Sequence, residues 1–393
     1  MLIREFKVKA KSYQFNAIDE AIRTSQFIQN KCLRLWMDKE KVSKYDLNKY
    51  CKVLANKFSF ANELNSMARQ SAAERAWYAI SRFYKNCENN IRPVGFPKFK
   101  KFSRSVEYKT SGWKLLGTKR IKFTDKKNIG ELKLVGTHDL GNYSTKLIKR
   151  VRLVRRADGY YCQFCVAINR FEPLDQTGNN IGLDVGLESF YTDSNGHKEI
   201  NPRFYREVEN KRKRLQRKLS KKKKGSKNRA KAKNKLARLD LKISRQRKDH
   251  AIKLARCVTK SNDLVAYENL SIRDMVKNHH LAKSIGDAGW YQFRMWLEYF
   301  GKVFNRITIA VSPAYTSQKC SVCKTIVKKS LSTRIHVCKC GAHLDRDHNA
   351  AINILEKGLR TVGHTGTTLF EGNASGDVAS FVLGITQDRK AVS

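Results

Sequence analysis

The side chains of this 393-residue chain that could do chemistry are three carboxylate positions and one cluster of thiols. Asp184 lies within the apolar run Ile181-Gly182-Leu183-Asp184-Val185-Gly186, and Glu268 closes Leu264-Val265-Ala266-Tyr267-Glu268. Asp345 and Asp347 stand just ahead of Asn349-Ala350-Ala351. A charge on a buried strand is costly unless something pairs with it. Two magnesium ions held by Asp184, Glu268 and one of Asp345 or Asp347 would supply that pairing. They would also activate a water and stabilise the leaving oxygen in phosphodiester cleavage. Any one of these carboxylates could instead be an ion-pair partner or a helix cap. Three together, in a basic chain beside a metal-type cysteine cluster, favour the metal site.

The thiols are Cys320-x2-Cys323 and Cys338-x-Cys340, separated by a short basic loop. Four thiolates at this spacing can complete a tetrahedron around zinc, and four protein ligands leave no position open for water, so the site is structural. The second pair is one residue shorter than the usual knuckle, which leaves His336 or His343 as a substitute for Cys338. Cys162 and Cys165 share a strand-like run with no second pair nearby. Their spacing sends the two side chains to opposite faces, and they read as structural residues.

The chemistry must work on something, and the charge indicates what. Lys and Arg number 80 against 35 Asp and Glu, a formal net charge of +45. Self-repulsion on that scale calls for a polyanion, and nucleic acid is the leading candidate. No apolar run approaches the ~20 residues a membrane span requires, and Met1-Leu2-Ile3-Arg4-Glu5 lacks a signal-peptide core. The ten scattered cysteines fit a reducing compartment. An intracellular, cytoplasmic protein associated with the nucleoid is expected, with a monomer as the default.

The elements that must position these residues can be read from periodicity. Residues 1–10 read as a strand, after which Ile18, Ala21, Ile22, Ser25, Ile28, Cys32 and Trp36 recur at helical spacing. A second helical region covers roughly 45–88 and is stopped by Pro93 and Pro97. Residues 95–102 interleave Phe96, Phe99 and Phe102 with lysines, a pattern that suits base stacking beside phosphates as well as core packing. Short alternating runs from about 104 to 172 predict a β-barrel or sandwich, which the isolated first strand would join. Asp184 falls on a buried strand that leads through a Ser-Asn-Gly turn at 194–196 into a hairpin. Residues 205–257 are helical and intensely basic, broken at Lys221–Ser226; periodic Leu215, Leu219, Leu236, Leu239 and Ile243 mark a folded insert. Residues 275–281 read as a loop, a helix starts near Trp290, and residues 307–311 form another buried strand. This alternation predicts an α/β layer, and beyond Gly358 a peripheral tail is expected.

Taken in order, the blocks at 181–186, 267–275, 288–299, 313–323 and 338–355 resemble those of the TnpB family, transposon-encoded relatives of type V CRISPR effector nucleases. Residues 95–100 and 245–253 resemble family signatures as well, so the likeness spans most of 90–356. The resemblance implies an α+β multidomain protein. A wedge-like β-barrel (1–10 and 90–178) would carry a helical recognition insertion (11–89). A RuvC-like nuclease domain of RNase H fold (179–314 and 341–358) would include the basic insert 205–257 and a zinc ribbon (315–340), followed by a tail (359–393). It implies an RNA-guided DNA endonuclease that takes its guide RNA from the transposon end and cuts double-stranded DNA next to a short flanking motif. In the family pattern the last acid precedes x-Asn-Ala, which selects Asp347 over Asp345. Asp184 and Asp347 would then bind one magnesium together and Glu268 would hold the second. Two other readings are a nuclease-silent RNA-guided regulator, which the three intact acids disfavour, and a conventional transposase, which would require no guide.

Overall fold

A computed structural model describes residues 1–328, 330 and 333–364, and the chain divides into two compact units, Met1–Asn169 and Arg170–Ser393. In the first unit, β1 (Leu2–Lys9) is followed by four helices: α1 (Ser12–Asp38), α2 (Lys44–Lys57), α3 (Ser59–Asn62) and α4 (Ser66–Glu88). Six strands complete it: β2 (Ser105–Lys109), β3 (Trp113–Leu115), β4 (Arg120–Phe123), β5 (Glu131–Val135), β6 (Ile148–Arg156) and β7 (Gly159–Val166).

These strands form one antiparallel sheet in the order β2-β6-β7-β1-β5-β4-β3. The isolated first strand is thus its centre. The sheet curls rather than closing into the expected barrel or splitting into a sandwich. Its end strands β2 and β3 are joined by the short turn Thr110–Gly112, and Tyr108 of β2 meets Phe123 of β4 at a ring separation of 4.7 Å. Gly112 leaves no room for a side chain there, since an added Cβ would lie 3.0 Å from the Tyr108 side chain. The turn and side-chain packing, with no backbone ladder between β2 and β3, bring the two ends together.

Helix α1 buries Ile18, Ala21, Ile22, Ile28 and Cys32, the stripe expected from its periodicity. Ser43 and Asp46 form a capping box at the start of α2. Between α4 and the sheet, buried Glu107 accepts hydrogen bonds from Ser71, Arg150 and Arg152. Burial opposes its charge, but the Arg75 and Arg152 guanidiniums, the Ser71 hydroxyl and Arg150 hold its carboxyl well below the usual range. Cys162 and Cys165 are both buried on β7, and Cys162 belongs to the apolar core.

The second unit carries β8 (Asn180–Val185), β9 (Ser189–Asp193), β10 (Lys198–Ile200), β11 (Leu264–Glu268) and β12 (Ile307–Val311) in the order β10-β9-β8-β11-β12. β11 runs parallel to β8 and β12, and β9 is antiparallel to β8. Between β10 and β11 stand α5 (Phe204–Ser220) and α6 (Lys227–Ser261). They are a helical pair along a seam where Leu215, Leu219, Leu236 and Leu239 are half-buried, as the basic insert was expected to be. Next come α7 (Ile272–Met275), α8 (His279–Ala288) and α9 (Trp290–Phe304). The loop expected at 275–281 is interrupted, because the Asn278 side chain accepts from the His280 amide and starts α8. The final elements are the small hairpin β13 (Ile335–Val337) and β14 (His343–Asp345), and α10 (Arg346–His364).

Gly358 sits inside α10 rather than at its end, and an added Cβ there would come within 2.6 Å of the Ala266 Cβ. The helix therefore continues beyond residue 358 into the segment expected to be tail; the rest of that segment lies outside the described residues. No described helix is long and apolar enough to cross a membrane.

Candidate functional site

Strand periodicity decides which side chains of the five-stranded sheet meet. Ile181, Leu183, Val265 and Tyr267 point to one face, into the core shared with Ala251, Ala255, Phe293 and Leu297 of α6 and α9. The alternate residues Gly182, Asp184, Ala266 and Glu268 point to the other, which α10 covers. There Ala266 packs with Ile354 and Leu355 of α10. Gly182 lets the helix come close, since an added Cβ would lie 2.2 Å from the Ala351 carbonyl oxygen. In the parallel register Tyr267 is level with Leu183, so Asp184 and Glu268 occupy the C-terminal ends of adjacent strands. Asp347, in the first turn of α10, completes the group on the same face.

Two of the acids act on the third. Burial pushes the Asp184 carboxyl well above the usual range, and the negative charges of Glu268, Asp347 and Asp345 push it further while Arg346 pulls the other way. Burial also raises Glu268, against the pull of Thr316 and Lys357. A carboxylate held among like charges, and taking no hydrogen bond from the described residues, is the donor set a divalent cation would satisfy.

Asp345 is engaged elsewhere. One oxygen accepts from the Asp347 and His348 amides at 3.0 and 3.2 Å, capping α10, and the other accepts from Lys198 at 2.7 Å. Although burial opposes its charge, Lys198 and these amides hold its carboxyl below the ordinary range. Asp347 is less committed: among the described residues its side-chain partners are two arginines, Arg346 at 2.9 Å and Arg334 at 4.0 Å.

The four cysteines converge as expected. Cys320 and Cys340 bring their sulfurs to 3.8 Å, Cys323 and Cys338 to 3.5 Å, and all four lie within 4.8 Å of one another. Tetrahedral zinc with ligands at about 2.3 Å would place its sulfurs roughly 3.8 Å apart, so this group could hold zinc. Neither His336 nor His343 belongs to it. Hydrogen bonds from Thr325, side chain and backbone, hold the Cys323 thiol down to about 6, towards the thiolate a metal requires.

The sequence reading overlooked what ties the thiol cluster to the carboxylates. Asn349, Asn353 and Lys357 of α10 donate to backbone carbonyls of residues 312–319, and the Thr316 hydroxyl in that segment donates to Glu268 at 2.5 Å. The spacing of four, which sets three polar residues in one row of an amphipathic helix, was the available signal. In the first unit, Phe96, Phe99 and Phe102 are all exposed, Phe102 at 87%, so none belongs to the buried core. Phe96 leans on Trp36 and Phe83, and Arg34 lies over Phe99.

With this geometry in hand, known proteins supply a frame. Residues 163–279 match the OrfB_IS605 family model, described as a probable transposase, and residues 290–354 match the Cas12f1-like TNB domain. A Streptomyces pristinaespiralis protein named "Putative RNA-guided DNA endonuclease" is 31% identical over 309 residues, covering 77% of this chain and 73% of the relative. An Escherichia coli K12 protein, "Putative RNA-guided DNA endonuclease InsQ", is 29% identical over 297 residues, covering 71% and 72%. Among solved structures, the Cas12f1 chain of a Cas12f1-sgRNA-target DNA complex superposes with a TM-score of 0.55 at 14% identity, over 88% of this chain and 83% of that one. At that identity the likeness is one of fold, a mixed α/β architecture with a curled sheet.

Proposed function

The chain belongs to the TnpB family, and from that premise we propose that it is an RNA-guided DNA endonuclease whose cutting depends on divalent metal ions. The observation that carries the nuclease reading is the meeting of Asp184, Glu268 and Asp347 on the α10 face of the sheet, with Asp184 raised by its acidic neighbours. We read this sheet, with its order β10-β9-β8-β11-β12, as a RuvC-like core of RNase H fold. The curled sheet of the first unit would be the wedge and α1–α4 the recognition insertion. Residues 315–340 would be the zinc ribbon.

Asp184 and Asp347 would hold one magnesium ion between them, and Glu268 a second. When bound, such ions activate a water for in-line attack and stabilise the departing oxygen. The chain's part is to hold the carboxylates at fixed positions on rigid elements: two strand ends and the first turn of a helix. Asp345 supports α10 and Lys198 rather than metal.

The guide RNA and target DNA are carried over from the named relatives, and the charge of +45 suits both backbones. Base pairing would supply sequence choice, while the protein would read a short flanking motif. Because so basic a chain binds nucleic acid without a guide, affinity alone does not test this. The test is to copurify the protein with its RNA, rewrite the guide segment, and present plasmids with old and new targets beside a library of flanking sequences. The cut is expected to move with the guide and to require one flanking motif. A cut at a fixed transposon end, with or without RNA, would replace this reading by a conventional transposase.

A further inference from the structure

One route from the thiol cluster to the carboxylates runs through the Thr316 hydroxyl. Thr316 is 4% exposed, and its Oγ1 lies 2.5 Å from Glu268 Oε1 and 3.0 Å from the Pro313 carbonyl oxygen. A hydroxyl has one proton to donate, and an ionised carboxylate is the stronger acceptor. The segment carrying Thr316 is held at successive points by one row of α10 side chains. Lys357 donates to the Ser312 and Ala314 carbonyls at 3.1 and 2.6 Å, and Asn353 to Thr316 and Lys319 at 2.9 and 2.7 Å. Asn349 donates to Lys319 at 2.9 Å and accepts from the Ser321 amide at 2.9 Å, so it brackets Cys320. Asn349 and Asn353 are buried, so breaking these hydrogen bonds would leave their amides without water as a substitute partner.

We propose that Thr316 is a positioning residue for Glu268, and that the thiol cluster, by fixing Cys320 at the far end of the segment, helps to hold it in place. The proposal rests on Glu268 being a metal ligand, as argued above. A carboxylate on the last residue of a strand has rotamers to choose from, and a buried donor on one oxygen selects one of them and leaves the other oxygen for the cation. Occupancy of the thiol cluster by zinc and of the carboxylate site by a divalent ion are then linked, each favouring the conformation of 312–319 that the other uses.

The experiment uses the full protein with its copurified RNA and Mn2+ as the probe, binding being followed by loss of the free-ion paramagnetic resonance signal. The variants are Thr316→Val, which keeps the shape and removes the hydroxyl, Thr316→Ser, which restores it, and Glu268→Gln. Removing one hydrogen bond to a charged group is expected to weaken Mn2+ binding about tenfold in Thr316→Val, with wild-type binding in Thr316→Ser. Guide RNA and zinc content should be unchanged in both. Wild-type Mn2+ affinity in Thr316→Val, or no recovery in Thr316→Ser, overturns the proposal. Glu268→Gln separates the two levels. If it also binds Mn2+ normally, the metal-ligand reading itself has failed; if it loses Mn2+ while Thr316→Val does not, that reading stands and only the positioning role is lost. Should Thr316→Val lose zinc or RNA, the same comparison is made between Thr316→Ala and Thr316→Ser.

Discussion

Gly182→Ala tests whether the distance between α10 and β8 sets the acidic site. The added methyl would lie 2.2 Å from the Ala351 carbonyl oxygen, 2.7 Å from the Leu355 nitrogen and 2.9 Å from the Leu355 Cβ. Two of these are backbone atoms of a helix, so no flexible side chain can yield, and restoring ordinary contact requires α10 to retreat by about 1 Å. Overpacking of this kind costs roughly 1–3 kcal/mol. The functional cost is larger in proportion. Asp347 rides on the first turn of the same helix, and a 1 Å misplacement of a reacting group lowers a rate about 100-fold. Guide-bound Gly182→Ala should therefore cleave roughly 100-fold more slowly in single turnover, with guide RNA still bound and a lowered melting temperature. Gly286→Ala is the control: apart from its own helix backbone nothing described lies within 4 Å of its added Cβ, and this helical position should gain up to about 1 kcal/mol. Gly182→Ala cleaving and melting like wild type would show that the close approach of α10 does not govern the site.

Other outcomes follow from the same geometry. Asp184→Ala, Glu268→Ala and Asp347→Ala should each abolish cleavage while retaining guide and target binding, both read by filter binding. Asp345→Ala should keep partial activity and lose about 1 kcal/mol of stability in a melting assay, since it removes a helix cap. Cys320→Ser should lower zinc content by elemental analysis together with melting temperature, whereas His336→Ala should keep its zinc. The acidic site should also leave a pH signature in chelator-treated protein. Because Asp184 is raised in the fold, its contribution is present below the ordinary carboxylate range and is lost as pH rises through the raised value. Melting temperature should fall across that window, Asp184→Asn should flatten the fall, and added Mg2+ should reverse it; no difference between wild type and Asp184→Asn would contradict the assignment.

What the sequence disclosed follows from which signals have a period. Apolar runs of strand length carrying Asp184 and Glu268 at or near their ends announce a buried strand with a charge on it, and the paired cysteines announce a cluster that could hold a metal. The choice between Asp345 and Asp347 was visible only as a family pattern. In the fold Asp345 is occupied by two amides and a lysine, which favours Asp347 on the proposed reading. Thr316 escaped notice because a hydroxyl in a connecting segment has no periodicity, and its partner is 48 residues away in the chain. Gly358 misled for a related reason. Glycine near a predicted end reads as a stop, and only the neighbouring sheet reveals it as a place of close contact. The curl of the first sheet was hidden likewise, since ring packing between β2 and β4 leaves no mark on either strand's alternation.

The position of α10 in the chain has a consequence for synthesis. A ribosome delivers the N-terminal side first, and both sheets can be largely paired before residues 346–364 emerge. Until then the sheet face bearing Asp184 and Glu268 lacks its cover, its third acid and the row of side chains that fastens 312–319. A nascent chain, or one released early by a premature stop, would therefore display much of the basic surface with an unfinished acidic centre. On the proposed reading, cutting is thus withheld until translation has passed α10.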